Sequence, residues 1–432
     1  MTSNINSVAI LGSGTMGSGI AALAAEKNCK VLLLDTSKEL VLKGREGLLM
    51  GNNPTLSDVS KIKNIEIGSF DEDFNKIKDF DWICEVVVED LEIKRSIFKE
   101  IDKYKNPDAI VSSNTSGIPL REITKNISSR LLENVCITHF FNPVKVMKLC
   151  ELIPGERTST RVIDTLRSFL EKVFNKGVVN GKDTVNFIGN RIGCFLLLKG
   201  LHESTDARKK NITIEQIDAL LSKPMGLPPT GLYGLIDLIG LDVMHSVGLN
   251  LSKNLPEKDI GRDYVLLPEA ELEMFKNGQL GRKTGGGFYR IKKLNETEKV
   301  KEVYDLDKKS WRIAQKYTYD NGISLIFNES LEGKLAWDIM GSTLWYAADL
   351  IPEIADDIVN IDRAMRWGFA WSKGPFELLD LAGSNNFINK CKEKNMPIPN
   401  MLKVLLDSGE KTFYKDEKKK YLSLDGNYCN VS

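Results

Sequence analysis

Histidine is scarce in this chain: His139, His202 and His245 are the only three among 432 residues. That leaves little room for a His-rich metal site, and no metal is expected. An excess of charge of either sign is also lacking. Lys+Arg and Asp+Glu both number 59, so there is no broad basic footprint of the kind nucleic acid requires. A local basic patch for a phosphorylated ligand stays open. The seven cysteines are odd in number and scattered, and none forms a CxxC. This fits reduced thiols in the cytoplasm rather than a disulfide framework or a zinc site. No apolar run reaches the length of a membrane span. Met1–Ser7 lacks the basic-then-apolar order of a secretory signal. With 42% apolar and 27% charged residues, the composition excludes a mainly disordered or collagen-like chain. At about 100–200 residues per domain, the length predicts two to four domains.

What is present begins at Ser7–Leu11, a short apolar run rich in β-formers. Gly12-Ser13-Gly14-Thr15-Met16-Gly17 follows it, then a helix of small residues, then the apolar run Lys30–Asp35. This strand–turn–helix–strand order has the size of a βαβ unit. Further strands are expected at Ile65–Ile67, Trp82–Val88, Ala109–Ser112, Asn134–Thr138 and Lys148–Ile153. Alternating with helices, they predict a parallel sheet covered on both faces. From about Thr184 helices take over, at Phe187–His202, Ile214–Leu221 and Gly231–Asp242. Gly285–Tyr289 reads as a loop, and the Lys-rich tail from Lys411 as surface. An internal repeat is visible. Ile217-Asp218 and the Gly231–Gly240 segment recur as Ile361-Asp362 and Gly374–Gly383, at offsets of 144 and 143 residues. Two copies indicate a duplicated helical domain rather than a solenoid.

The Gly12-x-Gly14-x-x-Gly17 fingerprint follows a strand and opens a helix, and Asp35 ends the next strand. Gly12 permits a tight turn, Gly14 lets backbone approach a pyrophosphate, and Gly17 lets helix and strand pack closely. The pyrophosphate then meets the helix N-terminus at Thr15 and Met16. Asp35 would hydrogen-bond the adenosine ribose and repel a 2′-phosphate, which favours NAD over NADP. FAD competes for the same fingerprint. The sheet region is therefore expected to be a doubly wound α/β domain of the Rossmann type over residues 1–184. An all-α, internally duplicated domain follows, with copies at 185–295 and 296–432, the second including the tail.

His139 lies just past an apolar strand, in Thr138-His139-Phe140-Phe141-Asn142-Pro143. Glu151 lies at the end of the next β-like run. If the chain doubles back near residue 145, the two face each other. A carboxylate on an imidazole fixes its tautomer and builds a base for a hydroxyl proton. Spacing alone leaves open a structural histidine and a surface acid.

Seven segments in one order resemble the 3-hydroxyacyl-CoA dehydrogenase family: GSGTMGSGIA, EVVVEDLEIK, SSNTSGIPL, THFFNPVKVMKLCELIPG, DTVNFIGNRI, GRKTGGGFY and GPFELLDLAG. The doubled helical domain is most similar to the dehydrogenase portion of bacterial multifunctional β-oxidation enzymes. The resemblance implies NAD-dependent oxidation of an (S)-3-hydroxyacyl-CoA in fatty-acid β-oxidation, in a cleft between the two domains. By it, His139 is the catalytic base and Glu151 its electrostatic partner. Ser116 and Asn190 hold the substrate oxygen. Glu89 and Lys94 line the nicotinamide end of the cofactor, and Asn142 and Lys283 make further cofactor contacts. Arg191 takes a structural role.

Four departures accompany this resemblance. The first repeat reads Pro229-Thr230-Gly231-Leu232-Tyr233 where Gly-Pro-Phe is usual, and the second keeps it at Gly374-Pro375-Phe376. The segment between Asp35 and Ile65 is shorter than the family's helical arm, so no residue is assigned to coenzyme A. Val185-Asn186 stands where Pro-Gly is usual. The residues before Ser7 and after Asn427 are too few for an enoyl-CoA hydratase module. The implied partners are an acyl-CoA substrate and association with a hydratase or thiolase, in a monomer or homodimer. The competing functions are dehydrogenation of a non-CoA hydroxy acid on the same scaffold and a non-catalytic subunit of a split complex.

Overall fold

The computed structural model describes residues 5–50, 55–295 and 298–431. The expectations for Met1–Asn4 and for a boundary at residue 296 therefore fall outside the described residues, as does the middle of the short arm at 51–54. The chain forms two compact units, residues 1–188 with 353–355, and 189–352 with 356–432.

The first unit is built on one eight-stranded sheet: β1 Ser7–Leu11, β2 Lys30–Asp35, β3 Ile65–Ser69, β4 Trp82–Glu85, β5 Ile110–Ser113, β6 Val135–Phe140, β7 Leu149–Pro154 and β8 Gly177–Asn180. Their spatial order is β3-β2-β1-β4-β5-β6-β7-β8. Side chains alternate across it, as strand geometry demands. Val8 and Ile10 enter one hydrophobic core while Ala9 and Leu11 enter the other. Helices α1 Thr15–Glu26, α2 Lys38–Gly47, α3 Leu91–Tyr104 and α4 Thr160–Lys172 flank it.

Neighbours from β3 to β6 are parallel, but β7 runs antiparallel to β6 and carries β8 with it. The expected parallel sheet thus gains an antiparallel edge, and the chain doubles back between His139 and Glu151 as their pairing requires. The link from Phe140 to Leu149 is too short for a crossover, which takes a dozen or more residues, so the chain must reverse. The run expected as strand to Val88 leaves the sheet after Glu85.

The second unit is mainly helical: α5 Gly189–Lys209, α6 Ile214–Leu220, α7 Gly231–Ile239, α8 Leu241–Asn254, α9 Ile358–Gly368 and α10 Pro375–Ala382 are its principal labelled members. The predicted helix Gly231–Asp242 breaks at Gly240, whose φ is +102°, and α7 and α8 meet at 90°. No single helix among the described residues is long and apolar enough to cross a membrane.

Two small sheets interrupt the helices where no strands were expected. Tyr289 is not loop but opens β9 Tyr289–Lys293, which forms an antiparallel meander with β10 Lys299–Asp305 and β11 Ser310–Ile313. The first sheet therefore runs past residue 295. The Lys-rich tail is likewise folded, as β12 Tyr414–Lys415, β13 Lys420–Leu422 and β14 Tyr428–Asn430. It buries Phe413 and Leu422 completely.

These sheets complete the internal repeat. In the first copy Asp218 accepts hydrogen bonds from the N–H groups of Tyr233 (2.7 Å) and Gly234 (3.1 Å) and from the Tyr289 hydroxyl (2.8 Å). In the second, Asp362 accepts from Phe376 N–H (2.8 Å), Glu377 N–H (3.1 Å) and the Tyr414 hydroxyl (2.9 Å). Asp237 binds the N–H groups of Phe288 and Tyr289, and Asp380 those of Phe413 and Tyr414. A buried carboxylate needs such donors, and the two copies supply the same set.

Candidate active site

The cofactor turn comes first. Gly12 has φ +115°, and a Cβ there would collide with the Val86 carbonyl. A Cβ on Gly17 would fall on the Gly12 carbonyl. Gly14 is different: a Cβ there would meet nothing within 4 Å, so the space in front of it is open. Gly14 also caps α1 without a side-chain hydrogen bond. The first-turn N–H groups of Thr15, Met16 and Gly17 thus face that space as a positive helix end. The donor set fits a pyrophosphate. Asp35, at the end of β2, accepts from Ser13 N–H and Ser13 Oγ, both at 2.7 Å, and from Thr36 N–H at 2.7 Å.

The carboxyl ends of β4 and β5 carry a second group. Lys94, on α3, is buried, with its ammonium 2.8 Å from Glu85 and 3.3 Å from Glu89. Glu89 Oε1 accepts from Thr115 Oγ1 (2.6 Å), Ser116 N–H (2.9 Å), Ser116 Oγ (3.1 Å) and Gly117 N–H (3.1 Å). Burial opposes ionisation of Glu89. Lys94 and the hydrogen bonds from Thr115 and Ser116 outweigh it, and the carboxyl is held below the usual range. For Lys94 burial again opposes the charge, but Glu85 and Glu89 raise the ammonium above its ordinary value. One lysine and one carboxylate thus fix the loop that presents Ser116.

The third group is the cross-strand pair. In the β6–β7 register His139 stands opposite Glu151. His139 Nδ1–H donates to Glu151 Oε2 at 2.5 Å, and both side chains are buried. Glu151 Oε1 accepts from Ile188 N–H at 3.1 Å. The turn that delivers this donor holds Asn186 at φ +60° and Phe187 at +48°, so asparagine takes the left-handed conformation at a modest cost. The rings of Phe141 and Phe187 lie 4.5 and 5.8 Å from the imidazole. Because Glu151 only accepts, Nδ1 must carry the proton. The Nε2 lone pair is left without a hydrogen bond among the described residues.

Within the first unit the fold therefore brings His139 and Glu151 together, and Ser116, Glu89 and Lys94 together. Asn142 is exposed on the loop after β6. Asn190 and Lys283 belong to the second unit. Asn190 lies in the first turn of α5, and Lys283 bonds Asp242 at 2.6 Å. Arg191 pairs with Asp259 and donates to the Tyr346 hydroxyl at 2.5 Å. Sequence reasoning missed Glu85. It sits in the apolar run Trp82–Val88 and reads as part of a strand, and its only signal is a charge at a fully buried position.

Residues 7–184 match the 3-hydroxyacyl-CoA dehydrogenase NAD binding domain, and residues 187–291 match that family's C-terminal domain. The chain is 37% identical over 436 residues to a putative fatty acid oxidation complex trifunctional enzyme of Rickettsia felis, covering 98% of this chain and 59% of that protein. It is 35% identical to a probable 3-hydroxyacyl-CoA dehydrogenase of Bacillus subtilis, covering 96% and 56%. It thus spans little more than half the length of these relatives. The crystal structure of a 3-hydroxybutyryl-CoA dehydrogenase from Escherichia coli shares the fold at TM-score 0.71 and 22% identity, covering 94% of this chain and 100% of that one. The glycine turn, the helical unit that follows in the sequence and these matches agree, and the chain belongs to the NAD-binding 3-hydroxyacyl-CoA dehydrogenase family.

Proposed function

We propose that this chain oxidises (S)-3-hydroxyacyl-CoA thioesters to 3-ketoacyl-CoA, with His139 as the base. The observation that carries this is the buried 2.5 Å bond from His139 Nδ1 to Glu151. It fixes the tautomer, so Nε2 can take the proton of the substrate hydroxyl. Glu151 stabilises the imidazolium that forms, as the carboxylate of a catalytic triad does. Phe141 and Phe187 exclude water from the ring. Ser116, whose backbone N–H stays on Glu89, would turn its hydroxyl from Glu89 to the substrate oxygen. Bound NAD supplies the acceptor for the hydride that leaves C3. In the reverse direction His139 is the acid. The reaction belongs in the cytoplasm, consistent with seven free cysteines. The Rickettsia felis relative is named a putative fatty acid oxidation complex trifunctional enzyme, which supports association with further activities of fatty-acid oxidation; a hydratase or thiolase would be such a partner.

A steady-state assay with acetoacetyl-CoA and longer 3-ketoacyl-CoAs, following NADH loss, tests this directly. Turnover with at least one thioester is the expected result. No turnover with any thioester, together with NADH formation from free hydroxy acids, would instead establish a non-CoA substrate.

Asp35 should govern cofactor choice. Asp35→Ala removes a charged acceptor for the ribose hydroxyls, worth about 1.5–3 kcal/mol. The KM for NAD should rise about tenfold or more, while NADP, no longer repelled, should lose its handicap. Initial rates with both cofactors check this, and an unchanged NAD/NADP ratio would remove Asp35 from the cofactor site.

A further inference from the structure

The repeat provides an internal comparison that exposes a second site. Gly234 and Glu377 are equivalent, because each donates the second N–H to the buried aspartate of its copy. In the second copy the Glu377 side chain is 5% exposed. Its Oε1 lies 2.8 Å from Lys418 and 3.3 Å from Arg366, and its Oε2 accepts from Gly374 N–H at 3.0 Å. An anion thus sits beside Asp362 and Asp380, compensated by two cations.

In the first copy glycine leaves that place without a side chain. A pocket of about 640 Å³ opens there, lined by Gly234, Thr230, Asp237, Arg282, Tyr289, Arg290 and Lys301 among others. Arg290 is shared with Glu302 at 2.6 Å. Arg282 and Lys301 have no carboxylate partner among the described residues, and Lys301 rests over the Tyr289 ring at 3.8 Å. The Thr230 hydroxyl is buried and unbonded. Asp237 contributes an acid to the lining, but its two oxygens are taken by the Phe288 and Tyr289 N–H groups. Its counterpart Asp380 is bonded in the same way in the copy that holds Glu377.

We infer that the Gly234 pocket is a binding site for the phosphate group of a small ligand, which takes the place that the Glu377 carboxylate fills in the second copy. Guanidinium, ammonium and hydroxyl donors suit phosphate oxygens, and charge-assisted bonds to them are the stronger kind. The volume admits more than a lone ion. Nothing in this depends on the role of His139.

Inorganic pyrophosphate is the probe, titrated calorimetrically into the full chain with NAD saturating, so that the glycine turn is filled. Saturable binding that weakens with salt is expected. Arg282→Ala should weaken it about tenfold, the loss of one charge-assisted contact. Gly234→Glu should abolish it by supplying the carboxylate in place. A Cβ at Gly234 meets Asp218 Oδ2 at 3.5 Å and Thr230 Cβ at 3.7 Å, ordinary contacts, and circular dichroism checks the fold. Should that variant misfold, Arg282→Ala combined with Lys301→Ala tests the same site from the surface. Displacement of pyrophosphate by coenzyme A would identify the thioester's own phosphates as the ligand. Binding of pyrophosphate that coenzyme A leaves in place would identify a separate phosphorylated compound. No saturable binding, or binding unchanged in these variants, overturns the site.

Discussion

His139→Ala should lower kcat for 3-ketoacyl-CoA reduction by about 10²–10⁴-fold, the usual worth of a positioned acid or base. The KM for the thioester should change far less, because the imidazole acts on one proton and not on the bulk of the ligand. The variant also leaves Glu151 buried with the Ile188 N–H as its remaining donor of those described above. Some loss of stability, about 1–3 kcal/mol, should accompany the kinetic defect. His139→Gln separates the two effects. Its amide can still donate to Glu151, but it cannot take a proton, so stability should recover while turnover stays low. Glu151→Gln removes the charge that steadies the imidazolium. Combined with His139→Ala it should cost little more than His139→Ala alone, since groups that act as a unit are not additive. Rapid NADH consumption by His139→Ala would take the base away from this residue.

Lys94→Met should strongly destabilise the sheet unit. It strands the Glu85 and Glu89 carboxylates around a position that is 1% exposed. Breaking a buried ion pair by removing one partner costs about 3–5 kcal/mol. Chemical denaturation of the holoenzyme, followed by circular dichroism, is the measurement. Adding Glu85→Gln should restore part of the loss, because one uncompensated charge then disappears. The pH dependence has a fixed sign. Glu89 is held below its ordinary value in the folded state. Its contribution is therefore present at neutral pH and fades as the pH falls through the depressed value. Lys94→Met should flatten that acid limb. Turnover should fall as well, because the Ser116 loop is held by the Glu89 carboxylate that Lys94 anchors. A variant as stable as the parent would mean that water or loop movement replaces the lysine.

How much of this was legible in the sequence depends on the range of the interaction. The glycine turn and Asp35 are local signals, readable because helix, strand and turn each impose a residue type. His139 and Glu151 were readable as a pair only on the condition of a hairpin, and the β6–β7 register meets that condition. The buried Glu85 was not readable, since its partner lies a turn and a loop away and its neighbours are those of any strand. β8 was missed because Gly177–Asn180 is too short to show a period. The two small sheets were missed for another reason. Their strands are rich in lysine and show no apolar run, and the Tyr289 and Tyr414 hydroxyls that reach back to Asp218 and Asp362 leave no periodic signal. The duplication was visible as recurring Asp and Gly positions, yet their partners, Phe288-Tyr289 and Phe413-Tyr414, lie far along the chain.

The C-terminal meander has a consequence for biosynthesis. Asp218 waits 71 residues for Tyr289, and Asp362 waits 52 for Tyr414. During synthesis each copy holds a half-satisfied carboxyl group until its own meander has been made, because the helices that carry Asp218 and Asp362 precede their tyrosine donors in the chain. That interval is the stage at which a chaperone or protease would meet exposed apolar surface.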